Sequence, residues 1–240
     1  MVRSTDATSA TVPSGPEHVS SSIERQAAND YPLPYPLQFK GSRLARGLLR
    51  MGGWRVHFKG LPAQQGVIVV YPHTSNWDFV VMMLAKWTVG VQVQFWGKDT
   101  LFRIPLFGRW LRWLGGVPVL RTAARGVVGQ MVDVLSAARR DDRYFWMGLA
   151  PEGTRKAVAG WRTGFYQTAL GAGVPLGLVR LDYARREVTI LDFIRLTGDE
   201  ATDFGRMEVV YAGVAGRVPA NAAPIQLLDA SVPRTDTIVK

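Results

Sequence analysis

The sequence predicts a single α/β domain built on a mixed, largely parallel β-sheet with helices on its faces. Short apolar runs rich in β-branched residues alternate with amphipathic helical segments through most of the 240 residues, which is the pattern of an α/β sheet. Charged or polar residues directly follow several of these runs. The length suits one domain with a full core. We expect a leader with a proline-rich segment at 1–36, the domain at 37–216 and a C-terminal tail at 217–240.

The same alternation defines the individual elements. Predicted strands cover residues 54–58, 67–71, 91–96, 117–120, 144–149, 174–181 and 187–193. Predicted helices cover residues 39–51, 76–87, 125–140, 163–170 and a stretch within 200–214. The segment 101–114 contains Pro105 and Gly108 and is too broken for one regular helix. Residues 1–30 are rich in Ser, Thr and Ala without periodicity, which predicts a disordered leader.

Composition excludes several kinds of chemistry. The chain has no cysteine, so disulfides, thiolate catalysis and cysteine–zinc sites are excluded. It has three histidines, one of them His18 in the polar leader, and we expect no histidine metal cluster and no bound metal. The net charge of +10 favours an anionic partner such as nucleic acid, an acidic carrier protein or a phospholipid surface. No nucleic-acid reading motif is present, and the eight tryptophans favour the membrane.

Membrane contact is expected to be peripheral. No apolar run approaches the ~18 residues that a spanning helix needs, and the first residues lack the apolar core of a secretory signal. We therefore expect a cytoplasmic protein bound to the surface of the cytoplasmic membrane. Residues 39–51 alternate leucines with basic residues, which is typical of an interfacial anchor and equally of a surface helix with a solvated basic face. The segment 101–114 is either lipid-facing or part of the core.

A histidine and an aspartate stand at the strongest strand-to-helix junction. Pro72 ends the apolar run 67–71, His73 follows at once, and Asp78 falls in the first turn of the next helix. Because His73 precedes that helix, Asp78 is able to reach back to one imidazole nitrogen and leave the other free as a general base. The alternative is structural, since Ser75 and Asp78 have the spacing of a helix-capping box.

Other charged groups share the position of His73 relative to the strands. Lys98, Arg121 and the run 152–155 all come immediately after a predicted strand. Parallel strands would gather these groups at one edge of the sheet, which would suit a phosphate-bearing substrate with a reactive hydroxyl. The alternatives are a plain type I turn around Glu152, a solvated turn lysine at 98 and a strand-end charge at 121.

Four sequence blocks carry a resemblance to a known family. They are the histidine–four residues–aspartate motif at 73–78, the block from Gly-Lys-Asp-Thr to Val-Pro-Val-Leu-Arg at 97–121, Pro-Glu-Gly-Thr-Arg at 151–155 and Gly-Val-Pro-Leu-Gly-Leu-Val at 173–179. In this order, each at its expected place relative to a strand, they resemble the glycerolipid acyltransferases, which include the 1-acylglycerol-3-phosphate acyltransferases. The second block departs from the family at Leu120, where an acidic residue often precedes the arginine. The resemblance covers about residues 54–185.

The resemblance implies a role for each site residue. His73 would take the proton from an acceptor hydroxyl that attacks an acyl thioester, and Asp78 would orient His73. The acceptor phosphate would be held by three cations, Lys98, Arg121 and Arg155. Glu152 would order its loop or contact acceptor hydroxyls. Gly153 would let the backbone approach the ligand, and Thr154 belongs to the same substrate-binding block.

The resemblance also implies the substrates. The donor would be acyl-CoA or acyl carrier protein, with no bound cofactor. The acceptor would be a lysophospholipid such as lysophosphatidate, in a step of phospholipid biosynthesis. Two rival functions remain at this stage. One is a lipid or thioester hydrolase with Ser75 as nucleophile, although the sequence has no Gly-x-Ser-x-Gly elbow. The other is a basic membrane- or nucleic-acid-binding module without catalysis.

Overall fold

One seven-stranded sheet organises the described part of the chain. The computed structural model describes residues 29–119 and 126–228, apart from the side chains at positions 97, 98 and 119. The strands are β1 (Arg55–Phe58), β2 (Gln65–Tyr71), β3 (Gln94–Lys98), β4 (Gly116–Val119), β5 (Phe145–Leu149), β6 (Leu176–Asp182) and β7 (Glu187–Ile194). They lie in the order β1–β7–β6–β2–β5–β3–β4. Only β6 and β7 pair antiparallel, and the other neighbours are parallel. The mixed, largely parallel sheet predicted from the sequence is confirmed.

Helices cover both faces of the sheet. They are α1 (Arg43–Met51), α2 (Trp77–Val89), α3 (Asp99–Phe102), α4 (Phe107–Trp113), α5 (Gly126–Arg140), α6 (Gly164–Ala172) and α7 (Glu200–Tyr211), followed by a 3₁₀ turn at Pro219–Asn221. Val67 and Val69 of β2 belong to a core cluster with residues of α5, α6 and α7. Ile68, which points to the other face, belongs to a cluster with residues of α1 and α2. Burial on both faces explains why β2 is a continuous apolar run and not an alternating one.

The segment 101–114 is not one regular helix, as predicted: α3 ends at Phe102, a bend that contains Pro105 follows, and α4 runs from Phe107 to Trp113 with Gly108 inside it. Leu106 lies in the bend with φ +64. Phe102, Leu111 and Leu114 are buried, whereas Leu106 and Trp113 are exposed. The segment therefore contributes to the core and also presents apolar side chains at the surface. Among the described residues, no helix has the length and apolar character needed to cross a bilayer.

Both ends of the described chain pack on the domain. In the proline-rich segment, Tyr35 is buried and its ring packs edge-on against Phe193. After position 216, Ala223 is buried and its carbonyl accepts a hydrogen bond from the Tyr71 hydroxyl at 2.8 Å. The predictions for residues 1–28 and 229–240, which include most of the leader and half of the tail, lie outside the described residues.

A buried lysine fastens α2 to the segment that follows it. The Lys86 ammonium donates hydrogen bonds to the carbonyl of Val93 at 3.0 Å and to that of Leu114 at 2.6 Å. Burial lowers the pKa of Lys86. These two bonds join the second half of α2 to the end of α4 and to the chain entering β3.

We predict that Lys86→Met destabilises the protein by about 3 kcal/mol, because two buried carbonyls would lose their donor while the aliphatic volume is kept. Chemical denaturation of the variant and of the wild type measures the difference. Lys40→Met, at an exposed position, is the matched control and should leave the denaturation midpoint unchanged. Equal midpoints for Lys86→Met and wild type would contradict the inference.

Candidate active site

The site lies at the edge of the sheet where the parallel strands β2, β5, β3 and β4 end. His73 follows β2 and Glu152 follows β5, and these two strands are neighbours. The His73 backbone N–H donates to both oxygens of the Glu152 carboxylate, at 2.9 and 3.2 Å. Lys98 is the last residue of β3, so its backbone lies at the same edge, although its side chain is not described. Arg121 and Leu120 lie outside the described residues.

His73 and Asp78 meet as their spacing predicts. His73 Nδ1 lies 3.1 Å from Asp78 Oδ2. The imidazole is 20% exposed, whereas the carboxylate is 1% exposed. Because the buried carboxylate pairs with Nδ1, the other ring nitrogen, Nε2, is left available as a general base.

The Asp78 carboxylate is fixed by three further donors. The backbone N–H groups of Thr74 and Ser75 donate to Oδ2 at 2.7 and 2.8 Å. The Tyr183 hydroxyl donates to Oδ1 at 2.7 Å. Burial by itself raises the pKa of Asp78, but the hydrogen bonds from His73, Tyr183 and Ser75 outweigh it, and the net pKa is below the ordinary value. The carboxylate is therefore held ionised beside the imidazole.

The helix-capping interpretation of the same residues holds in part. Asp78 accepts a hydrogen bond from the Ser75 N–H, which is the acid half of a capping box. The Ser75 hydroxyl accepts from the Trp77 N–H at 3.2 Å and not from the Asp78 N–H, and the N-cap residue of α2 is Asn76, whose side chain makes no cap bond. Capping and orientation of the histidine are thus two uses of one carboxylate, since Oδ2 serves the helix start and His73 at once.

Glu152 supports the histidine from the backbone side. It is 1% exposed, and burial raises its pKa to about 7, against the lowering effect of hydrogen bonds from the backbones of His73 and Ala223. The turn that carries it is closed by the Gly153 N–H donating to the Ala150 carbonyl at 3.2 Å. A turn around Glu152, which was the structural alternative to a functional role, is therefore present. It places the Glu152 carboxylate within hydrogen-bond distance of the His73 N–H.

The rest of the third block faces outward. Gly153 has φ +67, a conformation that favours glycine, and a Cβ there would come within 2.5 Å of Arg162 Nε. The Thr154 hydroxyl accepts a hydrogen bond from the Lys156 N–H at 3.3 Å. Arg155 is exposed and forms no ion pair within the described ranges. The structure does not bring Thr154 or Arg155 into contact with His73.

Sequence reasoning missed Tyr183 and the chain that covers the histidine loop. Tyr183 comes directly after β6, the other neighbour of β2, so the rule that selected His73 and Glu152 could also have selected it. The covering chain gave no comparable signal. There the Val218 N–H donates to the Thr74 hydroxyl at 3.2 Å, and the Arg217 guanidinium lies 5.5 Å from the centre of the Trp77 ring.

The described residues contain no group of three or more His, Asp or Glu side chains arranged to hold a metal ion. The arrangement at His73 allows proton transfer at Nε2, because Nδ1 of the same imidazole is paired with the ionised Asp78 carboxylate. An imidazole–carboxylate pair of this kind activates a hydroxyl for attack on an acyl group.

Comparison with known proteins assigns the family. A family model described as Acyltransferase matches residues 54–178, which is more than half of the chain. The chain belongs to the acyltransferase family and is an acyltransferase by class. The matched span includes His73, Asp78 and Glu152 and ends before Tyr183.

One solved structure resembles the chain. It is that of the 1-acyl-sn-glycerophosphate (LPA) acyltransferase PlsC from Thermotoga maritima, with 18% sequence identity and a TM-score of 0.48. The likeness covers 81% of this chain and 79% of that chain. A search of curated proteins finds no match.

We predict that Glu152→Gln changes how stability depends on pH. An acid whose pKa rises from 4.5 to about 7 on folding binds more protons in the folded state, so its contribution to stability is present at low pH and is lost as pH rises through about 7. Relative to wild type, Glu152→Gln should therefore gain about 3 kcal/mol between pH 4 and pH 8. Urea denaturation across that range measures the gain.

Glu208→Gln is the matched control for this measurement, since Glu208 is exposed on α7. Its unfolding free energy should follow the wild type at every pH. A Glu152→Gln curve parallel to the wild-type curve would show that Glu152 titrates at its ordinary pKa in the folded protein.

Proposed function

We propose that this acyltransferase moves a fatty acyl group from acyl-CoA or acyl carrier protein to the hydroxyl of a lysophospholipid such as lysophosphatidate, with His73 as the general base. The observation that carries the proposal is the pairing of His73 Nδ1 with the buried Asp78 carboxylate at 3.1 Å. That pairing fixes the imidazole through Nδ1 and leaves Nε2 to accept the proton of an acceptor hydroxyl.

In this mechanism the acceptor oxygen attacks the thioester carbonyl directly. Its proton passes to His73 Nε2 as the carbon–oxygen bond forms. Collapse of the tetrahedral intermediate breaks the carbon–sulfur bond, and the departing thiolate takes the proton back from His73, so that ester and free thiol are the products. The chain has no cysteine, which is consistent with transfer without a cysteine acyl-enzyme.

The negative side chain of Asp78 would stabilise the imidazolium formed during attack, in addition to fixing the tautomer. Glu152 would keep the His73 backbone in place through the two contacts from the His73 N–H. Lys98, Arg121 and Arg155 are proposed to bind the acceptor phosphate, Arg121 and Arg155 being able to do so with two parallel hydrogen bonds. Gly153 and Thr154 would line the same subsite.

The net charge of +10 would favour every anionic partner in this reaction: CoA phosphates, an acidic carrier protein and an anionic membrane. We propose that the protein works at the cytoplasmic face of the membrane without spanning it. Helix α1 exposes Leu44 and Met51 beside its arginines, and this supports its predicted role as an interfacial anchor.

We predict that His73→Ala lowers acceptor-dependent thiol release by about a thousandfold, the size expected for losing a general base. The assay follows free thiol with acyl-CoA and acyl carrier protein donors of several chain lengths, with lysophosphatidate, other lysolipids or no acceptor. Acceptor-dependent release that is lost in the variant would support the proposal and identify the headgroup.

Ser75→Ala is the matched control in the same loop. The Ser75 hydroxyl accepts from the Trp77 N–H and would be the nucleophile of the rival hydrolase. We expect Ser75→Ala to keep turnover with a stability loss of about 1 kcal/mol for the lost cap. Thiol release that needs Ser75 and no acceptor would establish the hydrolase instead. No release from any donor, with lipid binding unaffected by His73→Ala, would establish the binding module.

We predict that Tyr183→Phe lowers kcat about fivefold while the acceptor KM stays within about twofold, because an interaction made through Asp78 acts on the chemical step. The ring contact of Tyr183 with Trp54 is kept by phenylalanine, so the change removes just the donor to Asp78 Oδ1. Tyr35→Phe, which removes a hydroxyl donor far from the site, should leave both constants unchanged. A rise in KM with unchanged kcat would assign Tyr183 to substrate binding.

A further inference from the structure

Helix α2 buries its polar residues and exposes apolar ones, which is unusual for a helix that faces water. Its three polar residues after Trp77, namely Asp78, Lys86 and Thr88, are all buried. Its exposed residues are Trp77, at 55%, and Val80, at 44%. A surface helix in water normally shows the opposite arrangement. The outward face of α2 is therefore suited to an apolar environment.

Helix α4 continues this outward face. The ring of Trp113 lies 5.8 Å from that of Trp87, near the end of α2. The Lys86 ammonium binds the Leu114 carbonyl immediately after α4. These two contacts hold α4 against α2. Along α4 and the bend before it, five large apolar side chains are exposed: Ile104 at 50%, Leu106 at 77%, Phe107 at 39%, Trp110 at 46% and Trp113 at 72%.

The bend displays Leu106 at a conformational cost. Leu106 has φ +64, a left-handed value that is unfavourable for a residue with a Cβ. The leucine nevertheless points into solvent instead of packing in the core. The Leu106 side chain, 77% exposed, is thus available for contact with a partner outside the chain.

Charge identifies the kind of partner. Arg103, Arg109 and Arg112 lie among these apolar residues and are exposed. Arg103 pairs with Asp99 at 2.8 Å, and Arg112 lies over the Phe102 ring. Tryptophans mixed with arginines match the boundary of a bilayer, where indoles occupy the headgroup level and guanidinium groups meet phosphates.

We propose that the apolar surface formed by Trp77, Val80, Leu106, Trp110 and Trp113 inserts into the headgroup region of an anionic bilayer. The location of the catalytic centre relative to that bilayer rests on the proposed function. His73 comes four residues before Trp77, so the apolar surface begins beside the histidine loop. A lysolipid acceptor could then present its hydroxyl to His73 while its acyl chain stays in the membrane.

The test uses the full chain and liposome flotation. Vesicles of phosphatidylcholine alone are compared with vesicles that contain about 30% phosphatidylglycerol, an anionic lipid that attracts basic protein surfaces. The surface variant is Leu106→Gln/Trp110→Gln/Trp113→Gln, which changes exposed residues outside the catalytic machinery. The control variant is Val134→Gln/Leu170→Gln/Val209→Gln, which changes exposed apolar residues on α5, α6 and α7, across the sheet.

We expect the wild type and the control variant to float with the anionic vesicles and the surface variant to bind them at least ~10-fold more weakly. Binding to phosphatidylcholine alone should be weaker for all three proteins. Equal flotation of the surface variant and the wild type would overturn the proposal. So would a wild type that floats with neither vesicle, or one that binds both vesicles equally.

Turnover of soluble substrates distinguishes a failure of the membrane proposal from a failure of the proposed function. With a short-chain acyl-CoA and a short-chain lysophosphatidate below its micelle concentration, the surface variant should turn over like the wild type, which also shows that it is folded. If neither protein releases thiol but flotation still depends on the apolar surface, the membrane proposal stands and the proposed function fails. Loss of soluble-substrate turnover in the surface variant alone would overturn the membrane proposal, because the residues would then serve the site itself.

Discussion

The site depends on one buried carboxylate. Asp78 contacts His73 through one side-chain interaction and receives three hydrogen bonds, from the backbones of Thr74 and Ser75 and from the Tyr183 hydroxyl. A carboxylate this deeply buried would be costly without such partners. Since its partners come from the histidine loop and from the end of β6, Asp78 joins the histidine loop to the sheet edge. Any change to one partner therefore affects the start of α2 and the imidazole together.

Two acids hold the same histidine, and their environments push them in opposite directions. Asp78 meets the imidazole and has a lowered pKa, because its hydrogen bonds outweigh the effect of burial. Glu152 meets the backbone of His73 and has a pKa raised to about 7, because burial dominates. The permanent negative charge is thus kept next to the group that would accept the proton. Burial makes the charged form of Glu152 less favourable, and its carboxylate contacts the histidine loop through the His73 N–H.

The sequence predicted the position of a site residue correctly where that position follows from the end of a strand, and less well where it follows from a contact between distant segments. His73 and Glu152 lie at one sheet edge because their strands are parallel, as the alternating pattern predicted, whereas the order that makes β2 and β5 neighbours was not predicted. Boundaries were less accurate. The helix predicted at 39–51 begins at Arg43 because the Ser42 hydroxyl caps it by accepting the Ala45 N–H. The strand predicted at 91–96 lies at Gln94–Lys98. The Val218–Thr74 contact depends on tertiary packing between distant segments, which periodicity does not encode, whereas Tyr183 follows the end of β6 and could have been selected by the strand-end rule.

The segment that covers the histidine loop limits how far the protein can be truncated. Residues 216–223 contact Thr74, Trp77 and Tyr71, so the last third of the described chain holds the loop that carries the base. The span shared with the family, 54–178, includes neither this cover nor Tyr183. A fragment trimmed to that span would contain the motif residues and leave them unsupported. A minimal fragment of this protein for work on the site therefore has to extend beyond the family span to at least residue 223.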